Sequence, residues 1–150
     1  MSHFYASLYV HLVWSTAGRA PHITELHAPR LHRRLAALVA AEGCEAIAVG
    51  GVTDHVHLLV ALHPAVAVSA LVQAVKASTS QWARRELRAP AFAWQQGYGV
   101  FSLRDDDAPI VHRYVLRQPE HHAAGTTVAA WERSSATTPN TPSPNPPPGG

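Results

Sequence analysis

From Phe4 to Trp14 apolar and polar positions alternate, with Leu8, Val10, Leu12 and Trp14 on one side and Tyr9, His11 and Val13 on the other. A period of two predicts a strand with two distinct faces. After a link bearing Gly18 and Pro21, Leu31, Leu35, Leu38 and Val39 recur at helical spacing until Gly43 stops the run, which predicts a helix. Ala46, Ala48 and Gly50 against Ile47, Val49 and Gly51 predict a second strand, and Thr53-Asp54 turns the chain into a third, Val56 to Leu62. A second helix follows His63-Pro64, with Leu71, Val72, Val75, Thr79 and Trp82 on its inner face and Ala89-Pro90 as its end. Aromatics and glycines between Phe92 and Leu103 predict a short strand or irregular hairpin, and Asp105 to Asp107 with Pro109 open a helix from Ala108 to about Gln118. The order is βαββαβ plus a C-terminal helix. Its simplest packing is an α+β, ferredoxin-like antiparallel sheet with helices on one face.

At 150 residues, 47% of them hydrophobic, the chain suits one domain with one core. The stretch 134–150, rich in Pro, Ser and Thr, has no aromatic or charged side chain, so a disordered tail is expected after a domain spanning 1–133. A single cysteine, Cys44, excludes an internal disulfide and a multi-cysteine zinc site. The absence of a secretory signal pattern and of a long apolar run predicts a soluble cytoplasmic protein without membrane contact. Eleven of the twelve cationic side chains are arginine, a mild bias toward phosphate binding.

Asp54-His55-Val56-His57 carries the first chemical signal. With eleven histidines in the chain, roughly one H-x-H pair arises by chance, so context has to discriminate. In a strand, His55 and His57 project from one face about 6.5 to 7 Å apart and converge on one ion, while Val56, Leu58 and Val60 face the other way. An open catalytic metal site fits this pair better than a structural zinc site. Ordinary histidines on a half-exposed strand fit it equally.

The second signal runs from His112 to His122. On a helix, Tyr114 and Gln118 are i and i+4 and share a face. Tyrosine, with an ordinary pKa near 10, serves as a nucleophile toward phosphate only where nearby positive charge offsets the phosphate charge. A divalent ion does this as a Lewis acid, and Gln118 adds a carbonyl oxygen to the two imidazoles, a set suited to magnesium or manganese. Alternatively Tyr114 packs on the sheet and Gln118 faces solvent. His121 and His122 carry less weight, because they follow Pro119 and adjacent histidines point in different directions.

With these motifs in place, the chain resembles the single-tyrosine HUH transposases of the smallest bacterial insertion sequences, insertion-sequence-200-like, and the related REP-associated tyrosine transposases. The blocks that carry the resemblance are YVHLVWST (9–16), DHVHLLV (54–60), VSALVQAVKASTSQWAR (68–84), WQQGYGVFSL (94–103) and YVLRQPEHH (114–122). The resemblance implies that His55 and His57 are metal ligands, Tyr114 the nucleophile and Gln118 the third protein ligand. It implies cleavage of single-stranded DNA to a 5′-phosphotyrosine and a free 3′-OH, rejoining to another strand, and recognition of hairpins near element ends. A homodimer exchanging the tyrosine helix is also implied, with a monomer as the REP-associated alternative. Where many relatives carry a basic cluster after the first strand, this chain has Ser15-Thr16-Ala17-Gly18-Arg19-Ala20. Lys76, Arg84, Arg85 and Arg88 on the second helix are the expected phosphate contacts, or else a solvated face. The competing function is a catalytically silent, domesticated hairpin-binding relative; an unrelated metal hydrolase that shares only H-x-H is a third reading.

Overall fold

Strand β1 (Tyr9–Ser15) lies at the centre of a four-stranded antiparallel sheet, between β3 (His55–Ala61) and β4 (Gly99–Leu103), and β2 (Glu45–Val52) pairs with the outer side of β3. The structure, a computed structural model, describes residues 3–134; of the tail expected at 134–150, only Ser134 lies among them. Helices α1 (Ala28–Ala41) and α2 (Val68–Glu86) cover one face of the sheet. The order β2-β3-β1-β4 with these two crossovers is the ferredoxin-like α+β arrangement that the apolar pattern predicts.

The covered face is apolar because the alternation of β1 and β3 is unbroken. Val10, Leu12 and Trp14 from β1 and Val56, Leu58 and Val60 from β3 meet Leu31, Leu35 and Val39 of α1 and Leu71, Val72 and Val75 of α2. Pro29 stands in the first turn of α1, where no N–H is missed, and Gly43, at φ +83°, turns the chain out of it.

Strand β2 departs from simple alternation. A bulge between Ala46 and Ala48 lets Ala46 and Val49 face the helices while Ala48 and Ile47 pack on the opposite side. One extra residue reverses the faces, so a pattern of period two cannot reveal it.

The opposite face is covered by α3 (Ala108–Leu116), whose Val111 and Val115 pack on Ala48 and Leu59. Gly50 permits this approach, since a Cβ there would stand 1.8 Å from the carbonyl oxygen of Val115. The predicted continuous helix to Gln118 is broken at Arg117 (φ −106°, ψ 25°), and α4 (Gln118–Ala124) begins immediately after it. Pro119 explains the break: it has no N–H to offer Val115 four residues back, and its ring crowds that carbonyl. A short turn, Ala129–Glu132, then brings the chain back across β1 and β4, where Ser134 is buried and hydrogen-bonded to Ser15 (3.0 Å) and Gln95 (2.8 Å).

Candidate tyrosine and metal site

The same alternation that aims Val56, Leu58 and Val60 at the helices aims His55 and His57 at the other face, under α3 and α4. Their rings lie 5.2 Å apart, and both residues are almost wholly buried. Tyr114, on the last turn of α3, sets its ring 5.8 Å from that of His57. Gln118, fully buried, brings its Oε1 to 3.4 Å from His55 Nε2 and donates from Nε2 to the Tyr114 carbonyl (3.3 Å). The four residues singled out in the sequence therefore meet in one place, within one chain. Because of the break at Arg117, Gln118 gets there as the first residue of a new helix, not as a continuous i+4 neighbour.

Two further side chains join them. Glu132 places Oε2 at 3.0 Å from His57 Nε2 and 3.2 Å from His55 Nε2, and its Oε1 accepts from the Tyr114 hydroxyl. His122 brings Nε2 to 3.2 Å from Gln118 Oε1 and 3.6 Å from Glu132 Oε2. His55, His122 and Glu132 form a cluster whose ligand atoms lie within 4.8 Å of one another, so they can hold a metal ion. His121 and His122, given little weight from the sequence, are adjacent on α4 and so point apart: His122 reaches the cluster, and His121 stacks on Tyr114 (4.7 Å between centroids). No local pattern marks Glu132, which reaches the site only by the returning C-terminal segment.

Outer contacts orient both strand histidines. His55 Nδ1 pairs with Asp54 Oδ1 at 2.7 Å, and His57 Nδ1 pairs with His11 Nε2 at 2.8 Å. A metal-ligating histidine commonly has its second nitrogen held in this way, which fixes the tautomer and the ring orientation. His11, nearly inaccessible on β1, was visible in the sequence only as one of the outward positions of that strand.

The electrostatics follow from burial and from one carboxylate. Burial lowers the pKa of His57, and it lowers that of His11 to about 3, with His57 adding to the effect. Burial also acts against a charged His55, but hydrogen bonds with Glu132 and Asp54 outweigh it and raise its pKa. Tyr114 is pushed up to about 12, first by burial and then by its hydrogen bond to Glu132. Burial alone would raise Glu132; hydrogen bonds from His55, His57 and Tyr114 hold it well below the usual carboxylate range instead.

The expected phosphate contacts lie elsewhere. Helix α2 packs on the helix-covered face, so Lys76, Arg84 and Arg85 are carried across the sheet from Tyr114. Lys76 Nζ is spent on the carbonyls of Gln95 (2.7 Å) and Gly97 (2.8 Å), and Arg84 donates to the carbonyl of Phe92 (3.1 Å). Arg85 pairs with Glu86 at 3.2 Å, and Arg88 stands exposed just past the helix with φ +52°. The Lys76 and Arg84 contacts tie α2 to the segment before β4, and none of the four side chains is drawn to the tyrosine cluster.

Residues 4–118 match the family model described as "Transposase IS200 like". Among solved structures, the chain is similar to a protein of Deinococcus radiodurans R1 described as a candidate transposase, at 21% identity and a TM-score of 0.62, covering 86% of this chain and 98% of that one. It is also similar to a REP-associated tyrosine transposase bound to a REP hairpin, at 12% identity and a TM-score of 0.59, covering 85% of this chain and 74% of that one. At such identities these two likenesses speak to the fold. No curated protein matches the chain. The family match, which takes in both strand histidines, the tyrosine and Gln118, spans well over half of the chain, and the chain belongs to the IS200-like transposase family.

Proposed function

We propose that this transposase cleaves and rejoins single-stranded DNA through Tyr114, with His55, His57 and Gln118 holding a divalent ion. One observation carries this reading: a tyrosine hydroxyl and the Nε2 atoms of two strand histidines converge on the Glu132 carboxylate, with Gln118 Oε1 3.4 Å from one of those nitrogens. The donor set fits an ion. It mixes imidazole nitrogen with amide oxygen, with the Glu132 carboxylate beside them, as suits manganese or magnesium, and Asp54 and His11 hold the rings from behind. Such an ion supplies Lewis-acid stabilisation of charge on the phosphoryl oxygens.

The chain's own residues do the rest. Tyr114 Oη attacks the phosphorus in line with the 3′ oxygen, the bond from phosphorus to that oxygen breaks, and a 5′-phosphotyrosine forms. The proton given up by the tyrosine balances the one gained by the departing 3′ oxygen. Attack by another strand's 3′-OH reverses the step and frees Tyr114, so no high-energy cofactor is needed. Tyr114 is only 4% exposed, so entry of DNA requires the segment bearing Val128, Trp131 and Glu132 to withdraw from its hydroxyl and ring.

The hairpin carried by the REP-associated relative supports hairpin-bearing single strands as the substrate class. One chain brings the whole cluster together, so a homodimer, the expected assembly, need not exchange tyrosine helices to complete it. Sedimentation of the free and DNA-bound protein separates monomer from dimer. No described helix is long and apolar enough to cross a membrane, and we place the protein's work on DNA in the cytoplasm. The domain expected at 1–133 is extended by one residue, because Ser134 is buried against Ser15 and Gln95.

The test uses labelled hairpin DNA from the gene's flanks with wild-type protein and Tyr114→Phe, with and without Mn2+ or Mg2+, on denaturing gels. A metal-dependent covalent band confined to wild type is expected. Its absence across a full set of flanking hairpins that the protein nonetheless binds would leave a silent hairpin-binding relative.

A further inference from the structure

We propose that His11 is a positioning residue for the metal site, pairing with His57 so that the buried His57 ring can turn its Nε2 lone pair to an ion or its Nε2 proton to Glu132. This rests on the metal reading above. His11 is 1% exposed and His57 fully buried, their rings stand 5.0 Å apart, and His11 Nε2 lies 2.8 Å from His57 Nδ1. A buried imidazole nitrogen left unpaired is costly, so whatever His57 does at Nε2 must be matched at Nδ1.

The matching works in both states. To ligate through Nε2, His57 carries its proton on Nδ1 and donates it to His11 Nε2. Without an ion, the Glu132 carboxylate 3.0 Å from His57 Nε2 draws the proton to that nitrogen, Nδ1 becomes an acceptor, and His11 donates from Nε2. Both rings stay neutral throughout. A carboxylate behind His57 accepts only and an ammonium donates only, whereas imidazole does either. His55 shows the contrast: the Asp54 carboxylate, at 2.7 Å from its Nδ1, can only accept and so keeps a proton on that nitrogen whatever Nε2 meets.

A tautomer change at His11 also requires freedom at its other nitrogen. His11 Nδ1 has no hydrogen-bond partner among the described residues, so no second bond is broken. His11 also lines a cavity of about 270 Å³ with Phe101, Leu103, Val111 and Trp131, but its Nδ1 is itself inaccessible and stays unpaired in either state. The signal in the sequence is a histidine at an outward position of a strand that is otherwise hydrophobic.

The test titrates the full chain with Mn2+ by calorimetry as wild type, His11→Leu, His11→Met and His11→Gln, with thermal melts in EDTA to confirm folding. The two apolar variants remove the pairing, and glutamine restores a group that donates or accepts. Mn2+ affinity is expected to fall about 10- to 100-fold in the apolar variants and largely to return in His11→Gln. Nitrogen-detected NMR of His57 in wild type is expected to show its proton on Nε2 without metal and on Nδ1 with Mg2+. Wild-type affinity in a folded apolar variant, or a folded glutamine variant no better than leucine, would overturn the proposal. If wild type binds no ion, the metal reading fails and the metal-free spectrum decides alone: mixed His57 tautomers in the apolar variants support the pairing, and an unchanged spectrum sinks it.

Discussion

The two faces of the sheet are built from the same strands and serve opposite ends. Toward α1 and α2, β1 and β3 present Val10, Leu12, Trp14, Val56, Leu58 and Val60, a surface with no titratable group. Toward α3 they present His11, His55 and His57, and the apolar packing there shrinks to Ala48, Leu59, Val111 and Val115. One face holds the fold while the other keeps polar groups out of water in a defined arrangement. The cost of burying those groups is offset by mutual hydrogen bonds, and the apolar face supplies the stability that this arrangement draws on.

The largest expected effect comes from breaking the apolar face. Leu58→Ala, at a fully buried position, should lower unfolding free energy by about 2–5 kcal/mol in urea melts, while protein that remains folded still binds Mn2+. If metal binding vanished in the folded fraction, the two faces would not be separable as described. Gly50→Ala probes the face opposite. Its Cβ would overlap the Val115 carbonyl, so α3 must shift and carry Tyr114 with it. Since a displacement of about 1 Å can cost 10²-fold in rate, covalent adduct formation should slow by about that factor, as timed on gels. A wild-type rate would mean that α3 does not fix the tyrosine.

Two smaller effects sharpen the comparison. Glu132→Gln should bring the Tyr114 pKa down from about 12 toward 10, part of the elevation remaining because burial is its leading cause; ultraviolet titration of tyrosinate reads this directly. An unmoved value would remove Glu132 from the account. The smallest effect is on pH dependence. His11 has a folded pKa of about 3 against an ordinary 6.5, so the unfolded chain takes up its proton first as pH falls. Its contribution is whole above about pH 6.5 and is lost progressively toward pH 3, with His57 acting in the same direction and His55, whose pKa is raised, in the opposite one. Metal-free urea midpoints should decline through that window, and less steeply in His11→Leu. Equal slopes would show that the buried ring does not resist protonation.

How legible these faces are depends on the range of the forces that set them. Val10, Leu12 and Trp14 announce a buried face because strand geometry alternates side chains whatever else the chain does, and His55 and His57 share a face by the same rule. The β2 bulge was illegible, since Ala46, Ile47 and Ala48 are all apolar enough for either side. Gln118 was found, but its route was not: the helix breaks at Arg117 because of Pro119, so Gln118 opens a new helix.

The βαββαβ order and the apolar face follow from local periodicity, and contiguous motifs single out His55, His57, Tyr114 and Gln118 as candidates for one site. Long-range packing alone brings Glu132 onto the cluster, sets His122 beside it and His121 against Tyr114, puts His11 behind His57, and ties Lys76 and Arg84 to carbonyls across the sheet. Those outcomes depend on where separate elements come to rest against one another. A hydrogen bond between residues 75 apart leaves no periodic trace in either segment, and only the folded backbone brings its two ends within reach.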